Sequence, residues 1–330
     1  MKKILFFILI FLCVKVNASI VVMDGSSGRV LYEKNMNDRK LIASTTKIMT
    51  SIIALENGNL KDKYIVGDEI KKVDGSSIYA KEGEEYTLED LLYGLMLRSG
   101  NDSSMIISKN TLGYDKFIAS MNMKAFMLGM NNTTFENPHG LNDDSFNYST
   151  AYDLALLMKY AIKNKEFLKI TSTKKYKNWY NKNELLTTYK YLISGKIGYT
   201  KKSGQVFVSA ARKDNKTLII STINEPDKFN LHKRLYEQYF DKYSLYKVLD
   251  KYTFSFKNKD KNHYYILNDF YMLINKDEMD NLKVKINLNN NIDYVSVYYK
   301  DKLIHNERLY KIIYKERMKS LKEKLLFFLR

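Results

Sequence analysis

The sequence predicts an α+β protein: one antiparallel sheet flanked by helices, with a helical lobe inserted between its strands, then a small C-terminal β domain and a terminal amphipathic helix. Three observations carry this expectation. Short β-branched runs lie near both ends of residues 19–247 and bracket a middle whose apolar residues recur at helical spacing. Residues 248–310 are short β-rich segments broken by Asn, Asp and Lys. Residues 311–330 place Tyr314, Met318, Leu321, Leu325, Phe328 and Leu329 on one helical face among seven bases and two acids. Chain ends that pair in one sheet, with helices on its faces, bury the apolar side of every element.

Lys2 and Lys3 precede an apolar run from Ile4 to Val14 and the small residue Ala18, the pattern of a secretory signal peptide over residues 1–18 with Ala18 as the last residue removed. The run is shorter than the roughly 20 residues a bilayer span needs. Cys13, the only cysteine, falls inside this leader behind a bulky Leu12, so the mature chain has no thiol, no disulfide framework and no lipidation site. Loss of Lys2, Lys3 and Lys15 with the leader lowers the net charge from +17 to +14. For an exported chain such a surplus points to anionic wall polymers and lipid headgroups, not to nucleic acid.

In the domain that follows, Ile20–Asp24 and Arg29–Lys34 read as a hairpin turned at Gly25-Ser26-Ser27-Gly28. Ser44 to Asn57 reads as a helix stopped by Gly58 as a C′ cap. Helical spacing continues over 88–98, 114–129 and 150–163, the last opened by a Ser149-Thr150 cap. The period then changes to strands over 192–200, 205–212 and 216–224, closed by a helix over 228–243. Beyond the boundary at 247/248, strands are expected at 252–256, 282–288 and 292–299. The terminal segment 311–330 reads as a helix lying in an anionic membrane interface.

The chemistry starts at Ser44-Thr45-Thr46-Lys47. Serine and lysine three apart share one helical face, so a neutral Lys47 can take the proton of Ser44 as that hydroxyl attacks. The helix dipole, burial and a nearby cation all lower a lysine pKa. Backbone N–H groups at the helix start favour an oxyanion. Alone the pair is weak in a lysine-rich chain, but Ser99-Gly100-Asn101 and Lys196-Ile197-Gly198 stand downstream in order. They resemble Ser-x-x-Lys, Ser-Asp-Asn and Lys-Thr-Gly, which together are the signature of penicillin-binding proteins and class A β-lactamases.

Longer stretches carry the likeness further: Ile42-Ala-Ser-Thr-Thr-Lys-Ile-Met-Thr50, the run from Thr87 to Leu97, Ser99-Gly-Asn-Asp102 and Asn137-Pro-His-Gly-Leu141. Over residues of about 20 to 245 the chain resembles the D-alanyl-D-alanine carboxypeptidase family of low-molecular-weight penicillin-binding proteins. That resemblance implies a β-lactamase/transpeptidase-like fold and an acyl-enzyme on Ser44 with Lys47 as base. It implies that Ser99 relays a proton to the leaving D-alanine, that Asn101 orients Lys47 and the substrate amide, and that Lys196 gives positive potential to the terminal carboxylate. Gly198, Tyr199 and Thr200 complete the substrate-binding set, with the N–H groups of Ser44 and Tyr199 as oxyanion hole. It further implies peptidoglycan stem peptides as substrates, β-lactams as inhibitors and no cofactor.

One position departs from the family: Ile197 stands where the third motif usually has Thr. A lost hydrogen bond to a charged carboxylate is worth roughly 1.5–3 kcal/mol, so weakened carboxylate recognition is expected, partly compensated by Thr200 or Lys196. His139 is expected to be a turn residue and Asp102 a helix-start or surface residue. His232, His263 and His305 lack metal-ligand spacing, so no metal is expected. A β-lactamase reading lacks a Glu-x-x-x-Asn loop to deacylate, and a non-catalytic wall-binding scaffold would have little reason to keep Ser44, Lys47, Ser99, Asn101 and Lys196.

Overall fold

The computed structural model describes residues 17–142, 144–258, 262–288 and 292–311. Strand β1 (Ser19–Asp24) is entirely buried and turns back through Gly28, at φ +83°, into β2 (Val30–Lys34). A short 3₁₀ turn (Ala43–Thr46) leads into α1 (Lys47–Asn57), which is buried from Lys47 to Ala54. The helical middle continues with α2 (Leu88–Tyr93), a π turn over Gly94–Arg98, α3 (Asn101–Thr111), α4 (Tyr114–Met127), α5 (Ala151–Ala161) and α6 (Lys165–Ser172). Then come β3 (Leu192–Thr200), β4 (Gly204–Lys213), β5 (Lys216–Ile223) and α7 (Lys228–Lys242).

The five strands form one antiparallel sheet in the order β2-β1-β5-β4-β3. The chain's early and late strands meet as expected, β1 pairing β5 from Ser19↔Ile223 to Asp24↔Leu218. The sheet is covered on both faces. Val206, Val208 and Ala210 of β4 face the core with Val21, Ile48, Ile52 and Leu154. The alternate residue Phe207 stacks on His232 of α7 at 4.3 Å, and Ser209 bonds the ring Nδ1 of His232 and the hydroxyl of Tyr236, each at 2.7 Å. Each fully buried Ile, Leu or Phe of this kind contributes about 1.5–3 kcal/mol.

Several elements differ from the sequence expectation. Gly58 follows α1 but is extended at φ −123°; its lack of a side chain answers crowding, since a Cβ would lie 2.7 Å from Leu88. The expected helix over 88–98 changes to π geometry at Gly94 and ends in a left-handed Ser99 at φ 64°. Helices α3 and α6 and a single helical turn at Leu185–Thr188 fall outside the expected set. The predicted cap of α5 is present, with Thr150 Oγ1 accepting the Asp153 N–H at 3.0 Å.

A second compact unit begins at Lys242. It contains β6 (Ser244–Leu249), β7 (Ser255–Lys257), β8 (His263–Tyr265), β9 (Phe270–Ile274), β10 (Leu282–Asn287), β11 (Tyr294–Tyr299), β12 (Lys302–Arg308) and β13 (Tyr310–Lys311). They pair as β6-β9, β7-β8-β13 and β10-β11-β12 around Leu249, Met272, Ile274, Val295 and Val297. Because β6 pairs with β9, residues 244–247 belong to this unit, and the division falls before 247/248. Of the proposed leader only Asn17 and Ala18 are described, and of residues 311–330 only Lys311, which is strand and not helix.

Candidate active site

The serine is set by its neighbours' hydroxyls. Ala43 sits at φ +46°, and from it the 3₁₀ turn presents Ser44. Thr45 Oγ1 donates to the Ile42 carbonyl at 2.6 Å, Thr46 Oγ1 accepts from Asn147 Nδ2 at 2.9 Å, and Thr50 Oγ1 donates to the Pro138 carbonyl at 2.6 Å. The run Ser-Thr-Thr thus exposes one hydroxyl and spends the others on anchoring. A left-handed non-glycine residue costs of the order of 1–3 kcal/mol and persists where its surroundings over-determine it.

Lys47 Nζ lies 3.0 Å from Ser44 Oγ, 2.7 Å from Asn101 Oδ1 and 2.6 Å from the His139 carbonyl. Burial, then the Lys196 charge, push its pKa well below the usual lysine value, with Asp102 opposing and Lys182 assisting. A neutral amine has two N–H donors and one lone pair. Asn101 and His139 offer two acceptors that take no proton from it, so the lone pair is left for the Ser44 hydroxyl. This arrangement suits a general base held in register with a serine hydroxyl.

Two loops make the arrangement rigid. Asn137 Oδ1 accepts the N–H groups of His139 at 3.2 Å and Gly140 at 2.6 Å, which turns the His139 carbonyl onto Lys47. His139 Nδ1 accepts the Leu141 N–H, and burial followed by the Lys47 charge lowers the ring pKa to about 3, so the imidazole is neutral. His139 is therefore more than the turn residue expected: its carbonyl is a ligand of the base. Asp102, also read as a helix-start or surface residue, is buried; it accepts from the backbone of Ile78, Ala80 and Ser103 and from Ser77 Oγ. It ties the 76–80 loop to the first turn of α3, where Asn101 is fixed further by donation to the Asp74 carbonyl at 2.5 Å.

Lys196, on β3, donates to Ser99 Oγ at 2.9 Å and to the Ile197 carbonyl at 2.9 Å, and burial followed by the Lys182 charge lowers its pKa to about 7. The π turn and left-handed cap at Ser99 aim that hydroxyl at Lys196. Gly198 lies flush against the nucleophile turn: a Cβ there would sit 2.9 Å from the Ser44 nitrogen and 3.1 Å from that of Thr45. A groove of about 230 Å³ is lined by Ser44, Ser76, Ser99, Lys182, Ile197, Gly198, Tyr199 and Gln205. A larger cavity, about 640 Å³, lies beyond the 72–74 and 139–141 loops, lined by residues such as Asp74, Met105, Tyr114 and Leu141 but not Ser44.

The structure brings together Ser44, Lys47, Ser99, Asn101, Lys196, Gly198 and Tyr199. Thr200 is different: its hydroxyl accepts from Asn142 Nδ2 and bonds Ser203 Oγ, both at 2.9 Å, and it is absent from the groove wall. The expected compensation for Ile197 by Thr200 has no geometric basis. Lys182 and Ser76 are groove residues that no motif announced; they arrive from loops far from the three signatures, so nothing local in the sequence marks them.

DacF, a D-alanyl-D-alanine carboxypeptidase of Bacillus subtilis, is 36% identical over 214 residues, covering 60% of this chain and 54% of that protein. The match thus spans about half that relative's length. The Mycobacterium tuberculosis carboxypeptidase DacB2 is 32% identical over 210 residues, 61% of this chain and 72% of that one. A solved D-alanyl-D-alanine carboxypeptidase from the same organism superposes with TM-score 0.65 at 29% identity, covering 68% of this chain and 90% of its own. Penicillin-binding protein 5 of Haemophilus influenzae shares the fold, with TM-score 0.76 at 24% identity over 90% and 97% of the two chains. Residues 15–227 match the family described as D-alanyl-D-alanine carboxypeptidase, and the chain belongs to that family.

Proposed function

We propose that the protein removes the terminal D-alanine from peptidoglycan pentapeptide stems through an acyl-Ser44 intermediate. The observation that supports this best is the lone pair of Lys47, left to Ser44 by two fixed acceptors. Ser44 Oγ attacks the penultimate D-alanine carbonyl as Lys47 takes its proton, and the oxyanion meets backbone N–H groups of Ser44 and Tyr199. Ser99, bonded to Lys196, passes a proton to the departing nitrogen, and D-alanine leaves. Water then hydrolyses the ester. Penicillins acylate the same serine, and their adduct is lost slowly. No cofactor enters these steps.

Intact-mass spectrometry of the mature chain with penicillin, and with a peptide ending in D-Ala-D-Ala, tests the reading. The expected result is a penicillin adduct on Ser44, release of D-alanine, and neither in Ser44→Ala. An adduct without release favours a weakened scaffold or a transpeptidase lacking its acceptor, and absence of both signals removes serine acylation.

The leader at 1–18 and the basic apolar face within 311–330 support action outside the cytoplasmic membrane, at its outer face or in the wall. Deleting residues 312–330 is expected to release the protein from the membrane fraction in cell fractionation; unchanged retention counts against an interfacial role.

A further inference from the structure

The cavity of about 640 Å³ beyond the 72–74 and 139–141 loops shares no lining residue with the groove that holds Ser44, and no step of the proposed reaction uses it. Its volume lies in the range that takes small organic ligands. Met105, Tyr114 and Leu141 give it an apolar wall. Around them stand the four carboxylates of Asp68, Glu69, Asp74 and Asp144 against two ammonium groups, Lys72 and Lys109. In a chain of formal charge +17 this lining is negative. Lys109 is already spent, its Nζ lying 2.8 Å from Glu69 and 3.2 Å from Asp68. Asp74 and Asp144 are exposed and, among the described residues, enter no ion pair.

The same wall supports the catalytic amine. His139 lines the cavity, and its carbonyl is 2.6 Å from Lys47 Nζ. Asp74 lines it too, and its carbonyl accepts from Asn101 Nδ2, while Asn101 Oδ1 accepts from Lys47 at 2.7 Å. Met105 lies one turn along α3 from Asn101. Two of the three groups bonded to the Lys47 amine are therefore supplied or anchored by residues that an occupant of the cavity would touch.

We propose that this cavity is a second ligand site, separate from the groove, which takes a small organic cation, a primary ammonium on an apolar body, and that its occupant tunes Lys47. The carboxylates receive the ammonium, Tyr114 offers it an aromatic ring, and Met105 and Leu141 cover the apolar part. The binding site stands without the acylation reading; its effect on Lys47 rests on that reading. Burial, Lys196 and Lys182 oppose protonation of Lys47, Asp102 favours it, and the His139 ring is neutral. A cation in the cavity joins the opposing side, so the neutral amine is reached at lower pH.

The test uses phenethylamine as probe and 2-phenylethanol as its uncharged counterpart. Binding to the full chain is followed by saturation-transfer NMR, and acylation of Ser44 by benzylpenicillin is followed by intact mass across pH. The amine is expected to bind about 3- to 10-fold more tightly than the alcohol, and to bind the penicilloyl protein as well, whose groove is filled. Asp144→Lys and Tyr114→Leu each weaken the amine by about 3- to 10-fold, Tyr114→Phe keeps it, and Lys72→Glu strengthens it. With amine present, the acid limb of the acylation profile moves to lower pH in the wild type and moves less in Asp144→Lys. Absence of binding, equal binding of amine and alcohol, indifference to Asp144→Lys and Tyr114→Leu, or loss of binding on acylation overturns the site. Binding that leaves the profile in place overturns its link to Lys47. If the wild type forms no benzylpenicillin adduct, the acylation reading fails separately, and the binding comparison still decides the site.

Discussion

Lys47→Met is expected to slow penicillin acylation of Ser44 by about 10²- to 10⁴-fold, the usual range for loss of a general base. The pH dependence makes the result specific. In the proposed mechanism Lys47 acts unprotonated, so wild-type acylation is expected above its folded pKa and falls as pH drops through that lowered value. The residual rate of the Met variant has no such limb. Stability follows the same proton. From the folded pKa of Lys47 up to about 10.4, the unfolded chain binds a proton that the folded chain does not, so wild-type stability rises with pH. Denaturant unfolding of both proteins at neutral and alkaline pH should show the wild type gaining on the variant. A parallel pair of curves would mean that Lys47 is protonated in the folded site, and the general-base role would go with it.

Gly140→Ala is expected to destabilise the protein by more than about 3 kcal/mol and to abolish acylation. Gly140 has φ +92°, and a Cβ there would stand 2.0 Å from the Ala43 carbonyl oxygen and 2.4 Å from its carbon. Those are backbone atoms of the turn that presents Ser44, so the clash cannot be relieved without moving the nucleophile. The neighbouring His139 carbonyl, which holds Lys47, moves with it. Gly83→Ala is the control: φ is +86° there too, but nothing lies within 4 Å of the added atom. Only the left-handed conformation opposes that alanine, about 1–2 kcal/mol. Thermal unfolding and penicillin labelling of the two variants separate backbone strain from collision; equal losses would place the effect in strain alone.

The cluster of Ser44, Lys47, Ser99, Asn101 and Lys196 was legible because these residues travel in short motifs whose spacing reflects one helical turn or one strand. The rest was hidden for physical reasons. Helix α3 is buried from Asn101 to Ser108, yet Asn101, Asp102, Ser103, Ser104 and Ser108 are polar, so no apolar period marks the buried face. Strand β6 exposes its residues irregularly, which erases the alternation that marks a half-buried strand. The second unit's β8, β9 and β12 were missed; β8 is three residues long and β12 is largely polar and exposed. The His139 carbonyl meets Lys47 across 92 positions in the chain, and a carbonyl has no letter of its own. Ile197 was visible at once, yet its consequence for the carboxylate required knowing that Thr200 is already bonded.

Strand β3 is the last strand of its sheet, and its outer edge forms the groove wall at Ile197, Gly198 and Tyr199. On the proposed function, a stem peptide or a penicillin amide laid along that edge would be a sixth strand, held by main-chain groups that every residue carries. That part of the recognition would have no side chain to delete. Single substitutions that spare the enzyme while excluding the drug should be scarce along β3, and escape should instead come from changes that shift the strand bodily or close the space that Gly198 leaves over the nucleophile.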